Sequence, residues 1–210
     1  MAGTTLHSDS VESLELNKVE AEKATEVLER YEPSEAATGL VKEDMTPGRL
    51  LEYLLHESLM EDSLSLLAYG LPRREAVWWA SQCVDAVTPE EPDAAVAEAI
   101  AAAKAWLEDP TDENRRAAMV TADAASYETP AGCLALSVFF SEGSMAPADC
   151  PEVPVGEGFC ARTVFATVHM CSLVCGPDPA DMEKAARDYV ALGIQVANEP
   201  APWDDQPDAS

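Results

Sequence analysis

The chain has 210 residues, of which 47% are hydrophobic and 25% are charged, the proportions of an ordinary globular domain. This length allows one domain with a full core and short tails. The 39 Asp and Glu residues outnumber the 13 Lys and Arg residues, which gives a formal net charge of −26. Such a chain repels nucleic-acid phosphates and anionic lipid surfaces, so direct nucleic-acid or membrane-surface binding is excluded.

The sequence also bears on the cellular compartment. It contains no run of about 20 apolar residues, and its first 30 residues carry acids where a signal peptide has basic and apolar ones. These features predict a cytoplasmic protein. Among the six cysteines, Cys83, Cys133 and Cys171 fall in apolar periodic runs, where a thiol acts as a small hydrophobic group. We therefore expect reduced thiols.

Helix starts are marked by a small polar residue followed by proline. Proline suits the first helical position, and the preceding Thr or Asp can cap the first turn. This pattern occurs at Thr46-Pro47, Thr88-Pro89, Asp109-Pro110, Thr129-Pro130 and Asp178-Pro179. Together with apolar stripes of helical period, it predicts helices over 10–31, 47–57, 60–70, 72–87, 92–108, 111–126, 130–141, 159–175 and 179–198. The expected fold is all-α, either an irregular helical bundle or a short α-solenoid of antiparallel helix hairpins.

Three regions are predicted along the chain. Residues 1–45 are expected to form an acidic N-terminal helix that is loosely docked or mobile, because its apolar side is thin. Residues 46–198 form the helical domain, which contains a long Pro- and Gly-rich loop over 143–158 that is a candidate functional loop. Residues 199–210 hold three prolines and four acids, and they predict a disordered tail.

Motifs for catalysis and metal binding are weak. Glycine-rich phosphate loops and the nucleophile elbow are absent from the sequence. Cys171 and Cys175 share a helix face, but His169 lies off that face and a zinc site would need further ligands from elsewhere. We predict no enzymatic activity, no cofactor and no metal, and leave open whether Cys171, Cys175 and His169 contribute to a metal site.

Tryptophan and arginine residues are the candidates for partner binding, since both types are enriched at binding hot spots. Trp78 and Trp79 are adjacent on a predicted helix and lie about 100° apart around its axis, with Arg73 and Arg74 beside them. Both tryptophans could instead pack in the core, and the arginines could pair with carboxylates and hold helices together. The predicted partner-binding residues are Arg73, Arg74, Trp78, Trp79, Asn114, Arg115, Arg116, Met145 and Arg162.

Several runs of sequence resemble a family of uncharacterised, alanine-rich helical bacterial proteins of this length. The resemblance rests on residues 73–80 (RREAVWWA), 105–110 (AWLEDP), 113–118 (ENRRAA), 143–147 (GSMAP) and 161–164 (ARTV), and it covers roughly residues 45–197. Some relatives are mislabelled as twin-arginine signal proteins, and some are encoded beside type VI secretion genes. A looser similarity is to alanine-rich immunity proteins that neutralise bacterial toxins. Neither resemblance brings a catalytic motif.

These observations predict a non-enzymatic protein-binding module, an adaptor or chaperone associated with a bacterial, type VI-like secretion system. Its expected partner is another protein of basic charge, such as an effector. The alternative is an immunity protein whose acidic surface covers the basic active-site cleft of a toxin. A third hypothesis is an enzyme that uses the buried cysteines or a metal.

Overall fold

A computed structural model describes residues 14–147 and 149–204. Over these ranges the chain folds into a bundle of ten helices, which confirms the predicted all-α fold. They are α1 (Ala24–Leu28), α2 (Glu35–Leu40), α3 (Pro47–His56), α4 (Met60–Gly70), α5 (Arg73–Val87), α6 (Ala94–Glu108), α7 (Asp112–Ala125), α8 (Pro130–Phe139), α9 (Phe159–Leu173) and α10 (Pro179–Asn198). None of these helices is long and apolar enough to cross a membrane.

Three of the five proline-marked pairs start a helix as the sequence predicts. The other two do not, because α6 begins at Ala94 and α7 begins at Asp112 with Thr111 as its cap, so that Pro89 and Pro110 lie before these helices. Thr46, Thr129 and Asp178 each accept a hydrogen bond from a backbone N–H in the first turn of α3, α8 and α10, and proline follows each of them. The side-chain oxygen satisfies a donor that has no partner inside the helix, and proline has no N–H to lose there. From α3 to α10 the predicted helix ends lie within two residues of those observed.

The centre of the bundle is α9, which packs against α4, α5, α8 and α10. Trp79 of α5 is fully buried in this core, and its indole N–H donates to the Tyr189 carbonyl of α10 over 2.9 Å. Gly193 faces the same indole, where an added Cβ would lie 2.8 Å from a Leu67 methyl and 3.0 Å from the Trp79 ring. Glycine at this position therefore allows α10 to approach α4 and α5 closely.

The apolar stripe of α6 confirms the predicted core face. Ile100, Ala103 and Leu107 are buried, and Val96 is half-buried against the same core. The short side chains of α6 and α7 let these two helices run close together, since Ala103, Ala118 and other alanines fill the contact.

The predicted helix over 10–31 is wrong across residues 14–23 and 29–31, while its first four residues lie outside the described ranges. Helix α1 covers only five residues, and α2, which the sequence analysis missed, follows after Pro33. The stretch before α1 instead bonds to the end of α10, where the Lys18 N–H donates to the Ala197 carbonyl over 2.9 Å. Val27 is fully buried and faces α4, so α1 belongs to the core.

The C-terminal segment also differs from the predicted tail over the part that the structure describes, residues 199–204. Ala201 is buried, and the Trp203 ring packs against Trp78, because an indole gains free energy by leaving water. Residues 205–210 of the predicted tail lie outside the described ranges.

We expect Val27→Ala to lower the free energy of unfolding by about 1–3 kcal/mol, because it removes two methyl groups from a closed core contact. Urea unfolding of the full chain measures this. Val120→Ala is the matched control, since Val120 is 72% exposed and its truncation should change stability by less than about 0.5 kcal/mol. Equal effects of the two changes would show that α1 does not contribute to the core.

Candidate functional site

A groove crosses the surface where the N-terminal segment, α4, α5 and α9 meet. It consists of two adjoining cavities of about 650 and 690 Å³ that share Glu29, Arg30 and Tyr69 in their walls. Arg73 lines the first cavity and Arg162 the second. We call this surface the arginine groove, after Arg30, Arg73 and Arg162.

Arg30 is held at the centre of the groove by its neighbours. It follows α1 directly, and its guanidinium donates to the Tyr69 carbonyl of α4 over 2.9 Å. The Tyr31 and Tyr69 rings stack with centroids 5.0 Å apart, which joins the N-terminal segment to α4 behind the arginine. Burial raises the pKa of the Tyr31 phenol, and the Asp62 carboxylate adds to that rise. The stacked rings therefore support Arg30 from behind.

Arg73 and Arg162 enter the groove from the first turns of α5 and α9. Helix α9 begins after Gly158, whose φ of +79° is a left-handed conformation that favours glycine. An added Cβ at Gly158 would lie 3.3 Å from the Tyr69 ring. The last residues of the 143–158 loop therefore pass directly over α4 and set the position of Arg162.

The three groove arginines are not engaged in ion pairs with any residue of the described chain. Four of the eight arginines do have such pairs: Arg49 with Glu52, Arg115 and Arg116 with Asp112, and Arg187 with Glu183. The groove walls also carry Glu26, Glu29, Glu32 and Glu157. The groove thus presents both charges in a protein whose surface is otherwise strongly acidic.

The thiol at the base of the groove is unsuited to nucleophilic chemistry. Cys160 is buried, and this burial raises the pKa of its thiol to about 12, although the nearby Arg73 guanidinium lowers it. A thiol with this pKa is protonated near neutral pH and attacks poorly. The groove therefore offers guanidinium and carboxylate groups for binding and no activated thiolate.

Two of the predicted partner-binding residues lie in the core, and their assignment to a binding surface is wrong. Trp79 is fully buried between α5 and α10. The Arg115 side chain is also fully buried, since it donates to one Asp112 carboxylate oxygen over 2.6 and 2.9 Å, to the Phe139 carbonyl over 2.8 Å and to the Ser144 carbonyl over 3.0 Å. The charge of Arg115 is satisfied inside the protein.

Arg116, Asn114 and Met145 take part in the structure around Arg115. Arg116 pairs with Asp112 over 2.6 Å and donates to the Ala146 carbonyl over 2.8 Å. Asn114 donates to the Asp109 carbonyl over 2.8 Å, which ties α7 to the end of α6. The half-buried Met145 donates its N–H to the Val153 carbonyl over 2.7 Å and so closes the loop on itself. The alternative interpretation, that arginines hold the helices together, fits Arg115 and Arg116.

Arg74 and Trp78 lie outside the arginine groove, on the side of α5 that faces α6. Arg74 donates to the carbonyls of Leu107 and Glu108 at the end of α6. Trp78 is half-buried beside Trp203. Arg73 and Arg162 were thus predicted as partner-binding residues together with residues of a different surface, and their common groove was not predicted. Arg30 was not predicted either, because only the tertiary fold brings this residue to the other two.

The cysteines near the end of α9 contact α9 itself and Tyr189 of α10. Cys175 donates to the Cys171 carbonyl over 3.2 Å, and its sulfur lies 3.5 Å from the Tyr189 hydroxyl. His169 stacks on Phe165, one turn earlier on α9. Within residues 14–147 and 149–204, no three His, Cys, Asp or Glu side chains are grouped so that they could hold a metal ion.

Comparison with known proteins gives one match. The model of a family of unknown function, DUF6931, matches residues 50–197, which span most of α3 and the helices from α4 to α9, and nearly all of α10. No curated protein and no solved structure matches the chain. Arg73 and Arg162 lie inside the matched range, and Arg30 lies before it.

Arg115→Met should lower the free energy of unfolding by about 1–3 kcal/mol, because it leaves the buried Phe139 carbonyl without its donor and leaves Asp112 and the Ser144 carbonyl with Arg116 alone. Thermal and urea unfolding of the purified chain measure the loss. Arg162→Met makes the same chemical change at an exposed residue and should cost less than about 0.5 kcal/mol. Similar losses for both variants would contradict the structural role of Arg115.

Asp112→Asn tests the pH dependence of the same ion pairs. Arg116 and then Arg115, by hydrogen bonding, hold the pKa of the Asp112 carboxyl below its ordinary value of 3.8. As the pH falls, Asp112 is therefore protonated in the unfolded chain before it is protonated in the folded chain. The stabilisation of the fold by these ion pairs is present above about pH 4 and is lost as the pH falls through the pKa of Asp112 in the folded chain. The expected loss at pH 7 is below about 1 kcal/mol, since Asp112 is largely exposed.

Urea unfolding at pH 7 and near pH 3 measures this dependence, and the stability gap between the parent chain and Asp112→Asn should narrow at the lower pH. Glu113→Gln is the control, because it removes one negative charge next to Asp112 without breaking an ion pair of the described chain. A gap for Asp112→Asn that matches that of Glu113→Gln at both pH values would refute the assignment.

Proposed function

The chain belongs to DUF6931, a family of unknown function, and we propose that this member is a non-enzymatic protein-binding protein that holds its partner in the arginine groove. The observation that carries the proposal is the position of Arg30, Arg73 and Arg162 along one groove without ion-pair partners in the described chain. In a protein with 39 acidic residues, nearby carboxylates are plentiful. Guanidinium groups left without them are available to a partner.

The groove suits a protein segment that carries both charges. A guanidinium can bind a carboxylate through two parallel hydrogen bonds, which fixes its orientation as well as its position. Glu29 and Glu157 on the walls can bind Lys or Arg of the same segment. Alternating charges of this kind set the register of a bound segment and repel segments with another pattern.

The overall charge favours a basic partner. A net charge of −26 attracts a basic protein before the two surfaces touch, and it raises the rate of encounter at low salt. The contact within the groove then selects the segment that carries carboxylates. This combination supports a basic effector or toxin that presents a mixed-charge segment, the partner class expected from the sequence.

The loop over 143–158 supports the proposal as one wall of the groove. Its first part is fastened to α7 by Arg115 and Arg116, while its last part brings Gly156 and Glu157 to the groove. A fastened loop of this kind loses little conformational entropy when a partner binds.

Within this proposal, the resemblance of the sequence favours an adaptor or chaperone that holds an effector of a type VI-like secretion system in the cytoplasm. The acidic surface also favours the alternative, an immunity protein that covers the basic cleft of a toxin. The two roles differ in what happens to the partner: an immunity protein abolishes the activity of the bound toxin, whereas an adaptor delivers an effector that stays active.

The test is a pull-down from a lysate of the native host with the full chain as bait, at about 0.05 M and about 0.5 M salt, where the Debye length falls from about 14 to about 4 Å. The double variant Arg73→Glu, Arg162→Glu should recover at least about tenfold less of the partner than the parent chain, because both guanidinium contacts become repulsive. Mass spectrometry identifies the recovered protein, and its activity is assayed with and without the bait.

The matched control is Lys42→Glu, Lys184→Glu, which changes the net charge by the same amount at exposed residues outside the groove. This control should keep the partner at both salt concentrations. Equal losses in the two double variants would mean that charge alone, and not the groove, determines binding. Recovery of no specific protein at low salt would end the proposal of a binding function.

A further inference from the structure

The C-terminal segment occupies a second surface, the cleft between α5 and α6. Residues 201–204 form a turn in which the Asp204 carboxylate accepts the Ala201 N–H over 2.6 Å, and the Asp204 N–H donates to the Ala201 carbonyl over 3.0 Å. Ala201 is buried and Trp203 is half-buried. We call this surface the Trp203 cleft; its walls include Arg74, Trp78 and Gln82.

The indole of Trp203 makes a cation–π contact with Arg74 and an edge-on ring contact with Trp78. The Arg74 guanidinium carbon lies 4.0 Å from the centroid of the Trp203 ring, a close cation–π contact. The Trp78 ring meets Trp203 edge-on, with centroids 5.5 Å apart and planes at 69°. Arg74 cannot easily move away, because the carbonyls at the end of α6 hold its guanidinium in place.

The segment is held by side chains and hardly by its backbone. Among the described residues, no main-chain hydrogen bond joins 201–204 to α5 or α6. The turn bonds only to itself, so removing the segment costs α5 and α6 none of their own backbone hydrogen bonds. Opening of such a segment needs less free energy than opening of the packed helices.

The segment leaves part of the cleft unfilled. A cavity of about 220 Å³ remains beside Trp203, lined by Ser81, Gln82 and Lys104. A bound segment that is larger than residues 201–204 can therefore bury more surface in the cleft than the chain's own segment does.

We propose that the Trp203 cleft is a binding site for a tryptophan-containing, acidic segment of a partner protein, and that residues 201–204 occupy it in cis. The indole of the partner takes the place of Trp203 on Arg74 and Trp78, and a carboxylate next to it lies near Arg74 as that of Asp204 does. The chain's own segment thereby competes with the partner. The partner binds only chains whose cleft is open. Occupancy of the cleft by residues 201–204 therefore lowers the apparent affinity for the partner in proportion to the fraction of chains with an open cleft.

The probe is a fluorescently labelled synthetic peptide with the sequence of residues 199–210, added to the full chain and followed by fluorescence anisotropy. About 0.3 M salt keeps the Debye length near 6 Å, so that the acidic peptide is not repelled by the acidic protein over long distances. The Trp203→Ala chain has an open cleft and should bind the peptide at least about tenfold more tightly than the parent chain does.

Two controls identify the contacts. A peptide with alanine in place of its tryptophan should bind the Trp203→Ala chain at least about tenfold more weakly than the intact peptide does. The intact peptide should also bind at least about tenfold more weakly to a chain that carries both Trp203→Ala and Arg74→Lys, since lysine does not offer a planar guanidinium. Arg162→Met together with Trp203→Ala should bind as Trp203→Ala does, which separates this cleft from the arginine groove.

A second measurement follows the cleft in the parent chain itself. In the parent chain labelled with 5-fluorotryptophan, the fluorine signal of Trp203, assigned by its absence in Trp203→Phe, should move towards that of an exposed indole when excess unlabelled peptide is added. An unmoved signal, equal peptide binding by parent and Trp203→Ala chains, or no binding by either would overturn the proposal. Self-association of the parent chain that disappears in Trp203→Ala would show that a second copy fills the cleft, which would also overturn it.

Discussion

The burial of one arginine charge, that of Arg115, determines how the second half of the bundle is arranged. A guanidinium without access to water must have its donors satisfied inside the protein, because an unpaired charge there is far more costly than any single packing contact. The acceptors are supplied by Asp112, by the end of α8 and by the start of the long loop. Gly143 lies so close to the guanidinium that a side chain at this position would not fit. The loop is thereby fixed at its beginning, and its other end starts α9 beside the arginine groove.

The helices from α3 to α10 could be predicted because local chemistry decides them. In α3, α8 and α10 a capping side chain and a proline in the first turn act within one helix, and apolar stripes mark the other helices, so neighbouring residues are enough to place the ends. Residues 14–44 have no such stripe, and their path depends on contacts with α4 and with the distant end of α10. Sequence patterns carry no information about those contacts.

The binding residues were harder to predict, because the type of a residue indicates only the environment in which residues of that type usually occur. Arginine is expected at the surface, yet Arg115 is buried by a network that joins three separate elements. Arg73 and Arg162, two of the predicted partner-binding residues, are exposed, but only the fold reveals that they share a groove with Arg30. Both proposed surfaces combine residues of the family-matched range with residues from outside it, among them Arg30 in the groove and Trp203 in the cleft.

The two ends of the described chain are joined to each other. Besides the bond from Lys18 to Ala197, the Asn198 side chain accepts the Asn17 N–H over 3.0 Å and donates to the Glu15 carbonyl over 2.9 Å. The chain is therefore closed into a ring by hydrogen bonds rather than by a covalent link. A mechanical force that pulls the two ends apart meets this closure first, so tension would strip the end segments from the bundle before it reached α9 at the centre.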